Sequence, residues 1–256
     1  ASDVYKRQAY PVHKNSLEVL NRSNSRIEIS PSLPDQEKMF DGEKVEGIGP
    51  KLPQNKEVVV HITTDSLFIA RSLAIYPTHS HINATFELQA KTADKYETIS
   101  QFTIHWYKLD IENGFQPFAP TVMALEETVA KDFRLVIKNS HHEGGIAEIE
   151  LSTSPLIENY AAKTFAKMYQ GPMPPWDYYM WREQPEVEDL TLNIAPKQVV
   201  DISEFMTSDG KIIWDVPTGE WTILRTGMTS TGRTNFPGGP DGTGLEADKM
   251  NKQHVA

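Results

Sequence analysis

The sequence predicts a mainly β protein organised around one antiparallel β-sandwich of the jelly-roll type. Between residues 57 and 151, apolar and polar side chains alternate with the two-residue period of a strand that is buried on one face. Residues that favour turns separate the alternating segments, as they do between the strands of antiparallel sheets. Apolar residues with helical spacing occur in one short stretch only, which disfavours the alternating strands and helices of a parallel sheet.

The individual strands follow from this alternation. In residues 85–90, for example, the apolar positions are Phe86, Leu88 and Ala90. An Asp41-Gly42 pair after two apolar residues predicts a turn near the start of the sandwich. The predicted strands are residues 9–12, 27–30, 58–62, 67–76, 85–90, 98–107, 133–138 and 146–151.

A short helix and an aromatic linker are expected after the sandwich. Residues 159–169 place apolar side chains at helical spacing, and Gly171 and Pro172 end the pattern. The aromatic cluster that follows could be a platform for sugar rings, but packing of a linker against a domain is the commoner role. The cluster consists of Trp176, Tyr178, Tyr179 and Trp181.

The C-terminal part predicts a β-hairpin that leads into a glycine-rich loop. Strand-forming residues 212–214 precede a turn at residues 217–219, and residues 221–225 alternate as a return strand. Trp214 and Trp221 are expected to anchor this hairpin by burial.

Composition and charge argue against several classes of protein. The chain has 256 residues, of which 39% are hydrophobic, enough for one large or two small domains. The net charge of −10 argues against nucleic acid or an anionic membrane as the main partner. There is no cysteine, and no apolar run approaches the roughly 20 residues of a membrane-spanning helix.

We interpret the sequence as a fragment of a larger multidomain protein. It lacks an initiating methionine and a visible signal peptide, and residues 1–8 show no pattern and are interpreted as an extraneous lead. Because an inserted domain enters and leaves at neighbouring points, residues 9–12 should pair with the strands after Leu190 in one small sheet. The expected regions are an N-terminal flank (1–30), the sandwich (31–153), a helix and aromatic linker (154–186), a hairpin region (187–240) and a truncated segment (241–256).

Three strings of residues near the C-terminus resemble one family of enzymes. They are W-x-V-P-x-G-x-W-T-I-L-R from Trp214, T-x-T-G from Thr229 and G-L-E-x-D-K from Gly244. Together they resemble the α-L-rhamnosidases of glycoside hydrolase family 106. The sandwich resembles discoidin-like, galactose-binding-like modules, with F-D-G from Phe40 near its start and A-E-I-E-L from Ala147 near its end.

The resemblance implies a (β/α)₈ catalytic barrel interrupted by β-sandwich insertions, inverting hydrolysis by two carboxylates, and calcium in the sugar site. It implies that this chain carries the inserted sandwich, that residues 241–256 re-enter the barrel, and that the chain alone is inactive. The parent protein is then expected to hydrolyse α-L-rhamnosidic bonds in plant or microbial glycans, in the bacterial periplasm or outside the cell.

The charged cluster of Glu246, Asp248 and Lys249 is the main candidate site. Carboxylates this close can accept hydrogen bonds from sugar hydroxyls, bind calcium or serve a glycosidase as acid and base, and a solvated acidic loop is the plain alternative. Two carboxylates on one short segment do not easily bracket a glycosidic bond, since those of inverting enzymes lie roughly 6.5–9.5 Å apart. The resemblance favours a place in the sugar site for all three residues, with Glu246 as the candidate calcium ligand, and it leaves the catalytic acid and base unassigned.

Weaker candidates and rival functions stand beside this site. Arg225 could bind a carboxylate or a sugar, or form an ion pair on its strand. A non-catalytic carbohydrate-binding or adhesion module is the rival to the enzyme, and a structural spacer is a third reading. Four histidines lie between strands without an acidic partner at a known spacing, so exposed loop histidines are a commoner explanation than a metal site; they are His79, His81, His141 and His142.

Overall fold

Two compact units make up the chain. A computed structural model describes residues 3–12, 17–44, 48–78, 82–106, 120–140, 144–160, 184–187, 189 and 191–228. The larger unit comprises Asn15–Leu192, and the smaller unit combines Ala1–Lys14 with Asn193–Ala256. Among the described residues, no helix is long and apolar enough to cross a membrane.

The structure is mainly β, and the named strands of the described ranges all pair antiparallel, which confirms the predicted fold class. Short 3-10 helices occur at Gln36–Phe40, Pro196–Gln198 and Ser203–Phe205. The strands are β1 (Asp3–Pro11), β2 (Arg26–Ser30), β3 (Glu57–Pro77), β4 (Ile82–Thr92), β5 (Lys95–Trp106), β6 (Thr121–Asn139), β7 (Ile146–Ser152), β8 (Val200–Asp201) and β9 (Trp221–Met228).

The sandwich is formed by one six-stranded sheet, whose two long strands, β3 and β6, take part in both layers. Their halves at 57–63 and 132–138 belong to a five-stranded layer with the order β2-β3-β6-β4-β5. Their other halves pair with each other, and β7 joins β3 to complete a three-stranded layer. Register shifts between Thr63 and Phe68 separate the two halves of β3. The predicted strands 58–62 and 67–76 are therefore one strand with an irregularity.

In the five-stranded layer, the alternation of apolar and polar side chains along each strand decides which side chains form the core. Phe86 of β4 is fully buried and stacks on Phe102 of β5 with 5.1 Å between ring centroids. Phe133 of β6 meets Phe68 of β3 edge to face at 6.1 Å. Full burial of one such ring stabilises the fold by about 1.5–3 kcal/mol. One core cluster draws apolar residues from both layers, so the sandwich has a single interior.

β2 lies in the larger unit, where it pairs with β3 from Arg26↔Thr63 to Ser30↔Val59. The sequence-based division placed residues 1–30 together as a flank. The structure separates them near Lys14, because Ile27 packs in the sandwich core.

The smaller unit contains a three-stranded sheet in which β1 lies between β8 and β9. β1 pairs with β9 from Asp3↔Met228 to Pro11↔Trp221 and with β8 at Ala9↔Val200. This pairing confirms the prediction that residues 9–12 join strands from after Leu190. β1 starts at Asp3, although residues 1–8 show no pattern in the sequence that indicates a strand.

The predicted hairpin is wrong in its pairing. Residues 221–225 do form a strand, but the partner of β9 is β1, and residues 212–214 contribute only an isolated bridge from Ile212 to Met206. Trp214 and Trp221 are half-buried and contact each other edge to face at 5.3 Å, so they brace one another instead of filling a core. The Trp221 indole N–H also donates to the Pro217 carbonyl at 3.0 Å, which closes the turn.

Candidate functional site

The candidates singled out in the sequence fall mostly outside the described residues. The charged cluster of Glu246, Asp248 and Lys249 lies there, as do the four loop histidines, the aromatic cluster and residues 161–169 of the predicted helix. Arg225 is described, is exposed, and lies opposite Arg7 in the β1–β9 register. Across the ranges that the structure describes, no group of three or more histidine, aspartate or glutamate side chains could hold a metal ion.

A cleft of about 350 Å³, lined by residues with polar side chains, opens at one end of the sandwich, where β3 and β4 begin and β6 ends. Backbone hydrogen bonds fix its rim: the Asn55 amide donates to the Asn139 carbonyl at 2.7 Å, and the Ser140 amide donates to the Asn83 carbonyl at 2.7 Å. We call it the loop-end cleft, and it is lined by Asn55, Lys56, Glu57, Asn83, Thr85, Lys138, Asn139 and Ser140.

The chemistry of the loop-end cleft suits binding better than hydrolysis. Among its lining residues only Glu57 carries a carboxylate, and Lys138 pairs with it at 3.1 Å. Hydrolysis of a glycosidic bond normally needs two carboxyl groups, so this cleft lacks half of that machinery. Amide, hydroxyl and ammonium groups in a concave site are, however, well matched to the hydroxyl groups of a sugar. The cleft joins residues distant in sequence, which is why the sequence analysis did not identify it.

A buried carboxyl group lies on the outer face of the three-stranded layer. Glu148 on β7 is only 2% exposed, and the Gly42 amide donates to its Oε2 at 3.2 Å. Burial raises the pKa of Glu148 to about 7, and the nearby charges of Asp41 and Glu150 act in the same direction. The hydrogen bond from Gly42 opposes that rise, because it favours the ionised form.

A charged clamp lies beside Glu148. The Lys44 ammonium contacts Glu150 Oε1 at 2.7 Å and lies 4.8 Å from the centroid of the Tyr76 ring. Burial raises the pKa of the Tyr76 hydroxyl to about 12, and the Glu150 charge adds to this rise. Although burial opposes it, the interaction with Glu150 raises the pKa of Lys44. With Gly42 bound to Glu148, these contacts hold residues 41–44 against β3 and β7, so we assign the group a structural role.

We expect Glu148→Gln to stabilise the chain at alkaline pH. The folded pKa of about 7 exceeds the ordinary value of 4.5, so folding binds a proton between these values. The stability linked to Glu148 is therefore complete below about pH 4.5 and is lost as the pH rises through 7. A glutamine keeps the oxygen that accepts from Gly42 and removes the buried charge. The variant should gain about 3 kcal/mol at pH 8 and less than about 1 kcal/mol at pH 5, measured by urea unfolding.

The exposed Glu126 supplies the control for this prediction. Glu126→Gln changes net charge equally but removes no buried carboxylate, so its unfolding free energy should stay within about 0.5 kcal/mol of wild type at both pH values. A gain of Glu148→Gln that is equal at pH 5 and pH 8 would contradict the assigned cause.

The chain is similar to known carbohydrate-active proteins, and the sequence match includes residues outside the described ranges. The sequence model of the alpha-L-rhamnosidase family Glyco_hydro_106 matches residues 7–256. A solved rhamnosidase structure from Novosphingobium sp. PP1Y superposes on the whole chain with a TM-score of 0.57 and 20% identity, which shows a shared fold. A galactose-bound family 32 carbohydrate-binding module of C. perfringens NanJ covers 53% of the chain, and 98% of that module is matched, with a TM-score of 0.42 and 11% identity.

A curated protein of Formosa agariphila is 40% identical over 62 residues, which are 24% of this chain and 5% of that protein; its name gives beta-glucuronidase as a provisional activity. The chain spans 22% of the Novosphingobium rhamnosidase, about a fifth of its length. The family match, in contrast, takes in both compact units and the segment with Glu246. This chain therefore belongs to the alpha-L-rhamnosidase family, glycoside hydrolase family 106.

Proposed function

We propose that the full-length protein carrying this chain is a carbohydrate-active hydrolase that cleaves α-L-rhamnosidic bonds in complex glycans. The observation that carries this proposal is the family match over residues 7–256. The chain by itself is proposed to be inactive, because it spans 22% of the Novosphingobium rhamnosidase. In its described part, the loop-end cleft offers one of the two carboxyl groups that hydrolysis needs.

The charged cluster is proposed to contact the sugar in the full-length enzyme. Carboxylates such as Glu246 and Asp248 accept hydrogen bonds from sugar hydroxyls, and Lys249 can donate to them. The donor set also fits calcium, which prefers carboxylate oxygens, and Glu246 would be its ligand. Calcium bound there would supply a positive charge that orients sugar hydroxyl groups.

The loop-end cleft is proposed to be a second point of contact with the glycan. Its asparagine, lysine and hydroxyl groups offer donors and acceptors, and its one carboxylate is neutralised by Lys138. A periplasmic or extracellular location, where such glycans are met, is part of the same proposal. The rival function, a non-catalytic carbohydrate-binding module, is favoured by this same cleft, because its chemistry is that of binding alone.

Purified full-length protein tests the proposal. It should release rhamnose from an aryl α-L-rhamnoside and from rhamnose-capped oligosaccharides, and proton NMR of the first product should show the β anomer expected of an inverting enzyme. An aryl β-glucuronide is the matched control and should remain intact. Binding of the glycans without release of any sugar would favour the non-catalytic module and overturn the hydrolase.

A further inference from the structure

We propose that the outer face of the five-stranded layer is an additional glycan-binding surface, which holds a neutral oligosaccharide across β3, β6, β4 and β5. The proposal rests on the carbohydrate-directed function proposed above, and it concerns a region separate from the charged cluster near Glu246. The surface is defined by His61, Glu87, Gln89, Tyr96, Thr98 and Arg134, and we call it the sheet-face site.

The strand register brings these side chains together. His61 of β3 lies opposite Arg134 of β6, Arg134 lies opposite Gln89 of β4, and Gln89 lies opposite Thr98 of β5. Their sequence neighbours Ile62 and Phe133 are in the core, so the row itself faces away from it. One line of polar side chains therefore crosses four adjacent strands.

Hydrogen bonds hold the polar groups of the site in fixed positions. Arg134 donates from Nε to Gln89 Oε1 at 2.6 Å, and Gln89 donates from Nε2 to Glu87 Oε1 at 2.6 Å. The Thr98 hydroxyl donates to the same Glu87 oxygen, and this bond is the main reason that the pKa of Glu87 is lowered. Planar groups fixed before binding lose little entropy when a ligand arrives, so such an array is pre-organised.

Tyr96 adds an aromatic element to the array. The Arg134 guanidinium lies over its ring with Cζ 4.3 Å from the centroid, and the His61 ring meets it edge to face at 6.3 Å. All three side chains are half-buried. Stacking on Tyr96 fixes the plane of the Arg134 guanidinium. Gln89 accepts from one of the five N–H donors of Arg134, so further donors in the same plane are available to a ligand.

The charge of this face favours a neutral ligand. Glu87 is close enough for the Arg134 charge to lower its pKa, and Glu57 pairs with Lys138 at 3.1 Å. Across the described residues of the whole outer face, as the strand register places them, four acids balance four bases: Glu28, Glu57, Glu87 and Asp132 against Arg26, Lys91, Arg134 and Lys138. The whole chain carries a charge of −10, which disfavours polyanions. A hydroxyl-rich, uncharged sugar chain meets both conditions.

The sheet-face site is also continuous with the loop-end cleft. Glu57, Thr85 and Lys138 line the cleft and lie on the same outer face, with Lys138 opposite both Glu57 and Thr85. Lys138 is four residues from Arg134 along β6, a distance of roughly 13 Å in a strand. A single oligosaccharide could thus follow the face from the cleft to Tyr96.

Affinity electrophoresis of the full-length protein tests the proposal. The gels contain neutral β-1,4-galactan, α-1,5-arabinan or mannan, or the anionic polymers polygalacturonate and dextran sulfate. We expect at least one neutral polymer to retard the wild-type protein. Arg134→Ala and Tyr96→Ala should each weaken that binding about tenfold or more, because each removes one element of the array.

Arg26→Ala is the matched control, since Arg26 is an exposed arginine of the same layer that pairs with Glu28 on the edge strand β2. It should bind like wild type. Release of rhamnose from a small aryl rhamnoside by the wild-type protein is measured in parallel, so that this proposal and the proposed hydrolase fail separately. Retardation by anionic polymers alone, no retardation by any neutral polymer, or equal binding by wild type, Arg134→Ala and Tyr96→Ala would each overturn the sheet-face site.

Discussion

Glu246→Gln in the full-length enzyme is expected to lower the turnover of α-L-rhamnosides by about a hundredfold or more. Glutamine has nearly the same shape as glutamate, but it neither transfers a proton in this role nor carries the charge that calcium prefers. A loss of this size is what a general acid, a general base or a metal ligand in the sugar site produces. The measurement is kcat and kcat/KM on an aryl rhamnoside, with folding checked by thermal unfolding.

Two further readouts separate the possible roles of Glu246. If it transfers a proton, one limb of the pH profile of kcat/KM should disappear in the variant. If it binds calcium, millimolar calcium should restore part of the lost activity, because mass action compensates for a weaker site. The control is Glu204→Gln, which alters an exposed acid of the smaller unit and should leave turnover within about twofold. Turnover of Glu246→Gln within twofold of wild type would reduce Glu246 to a surface acid.

The fold was predictable where one face of a strand is buried and the other is not. Residues 85–90 alternate strictly, residues 133–138 alternate except at Val136, and both segments are strands, as predicted. The first half of β6 was missed because the alternation fails there. Val122 and Met123 are adjacent and both buried, so apolar side chains on both faces of the three-stranded layer are covered at this point.

Pairing of strands far apart in sequence was predictable only at the entry and exit of the inserted domain, which must lie close together. The return of the chain to its own N-terminus followed from the idea of an inserted domain, and β1 does pair with β9. Strands adjacent in sequence usually pair, but the predicted hairpin was wrong because β1 offers β9 a long register, from Asp3↔Met228 to Pro11↔Trp221. The Gly42–Glu148 and Arg134–Gln89 contacts join residues 106 and 45 positions apart, so no local pattern announces them.

Gly49→Ala should destabilise the larger unit by about 4 kcal/mol, the largest stability effect we expect of a single methyl group in this chain. Gly49 has φ of +143°, a conformation that residues with a Cβ rarely adopt. A Cβ at this position would lie 2.2 Å from the Ile146 carbonyl oxygen and 2.9 Å from Thr78 Cγ2. Urea unfolding followed by far-ultraviolet circular dichroism measures the loss.

Backbone must move to relieve this overlap, because the nearest atom is the Ile146 carbonyl oxygen. The Ile146 amide donates to the Pro50 carbonyl at 3.2 Å and the Leu52 amide to the Gly144 carbonyl at 2.8 Å, which together dock residues 50–52 beside β7. Gly42→Ala is the matched control: Gly42 belongs to the same unit and has φ of +85°, but a Cβ there would meet nothing within 4 Å. Gly42→Ala should therefore cost only the backbone strain, about 1 kcal/mol. Equal losses of unfolding free energy in the two variants would show that backbone strain alone sets the cost. The close approach of Gly49 to Ile146 would then not be what holds residues 50–52 in place.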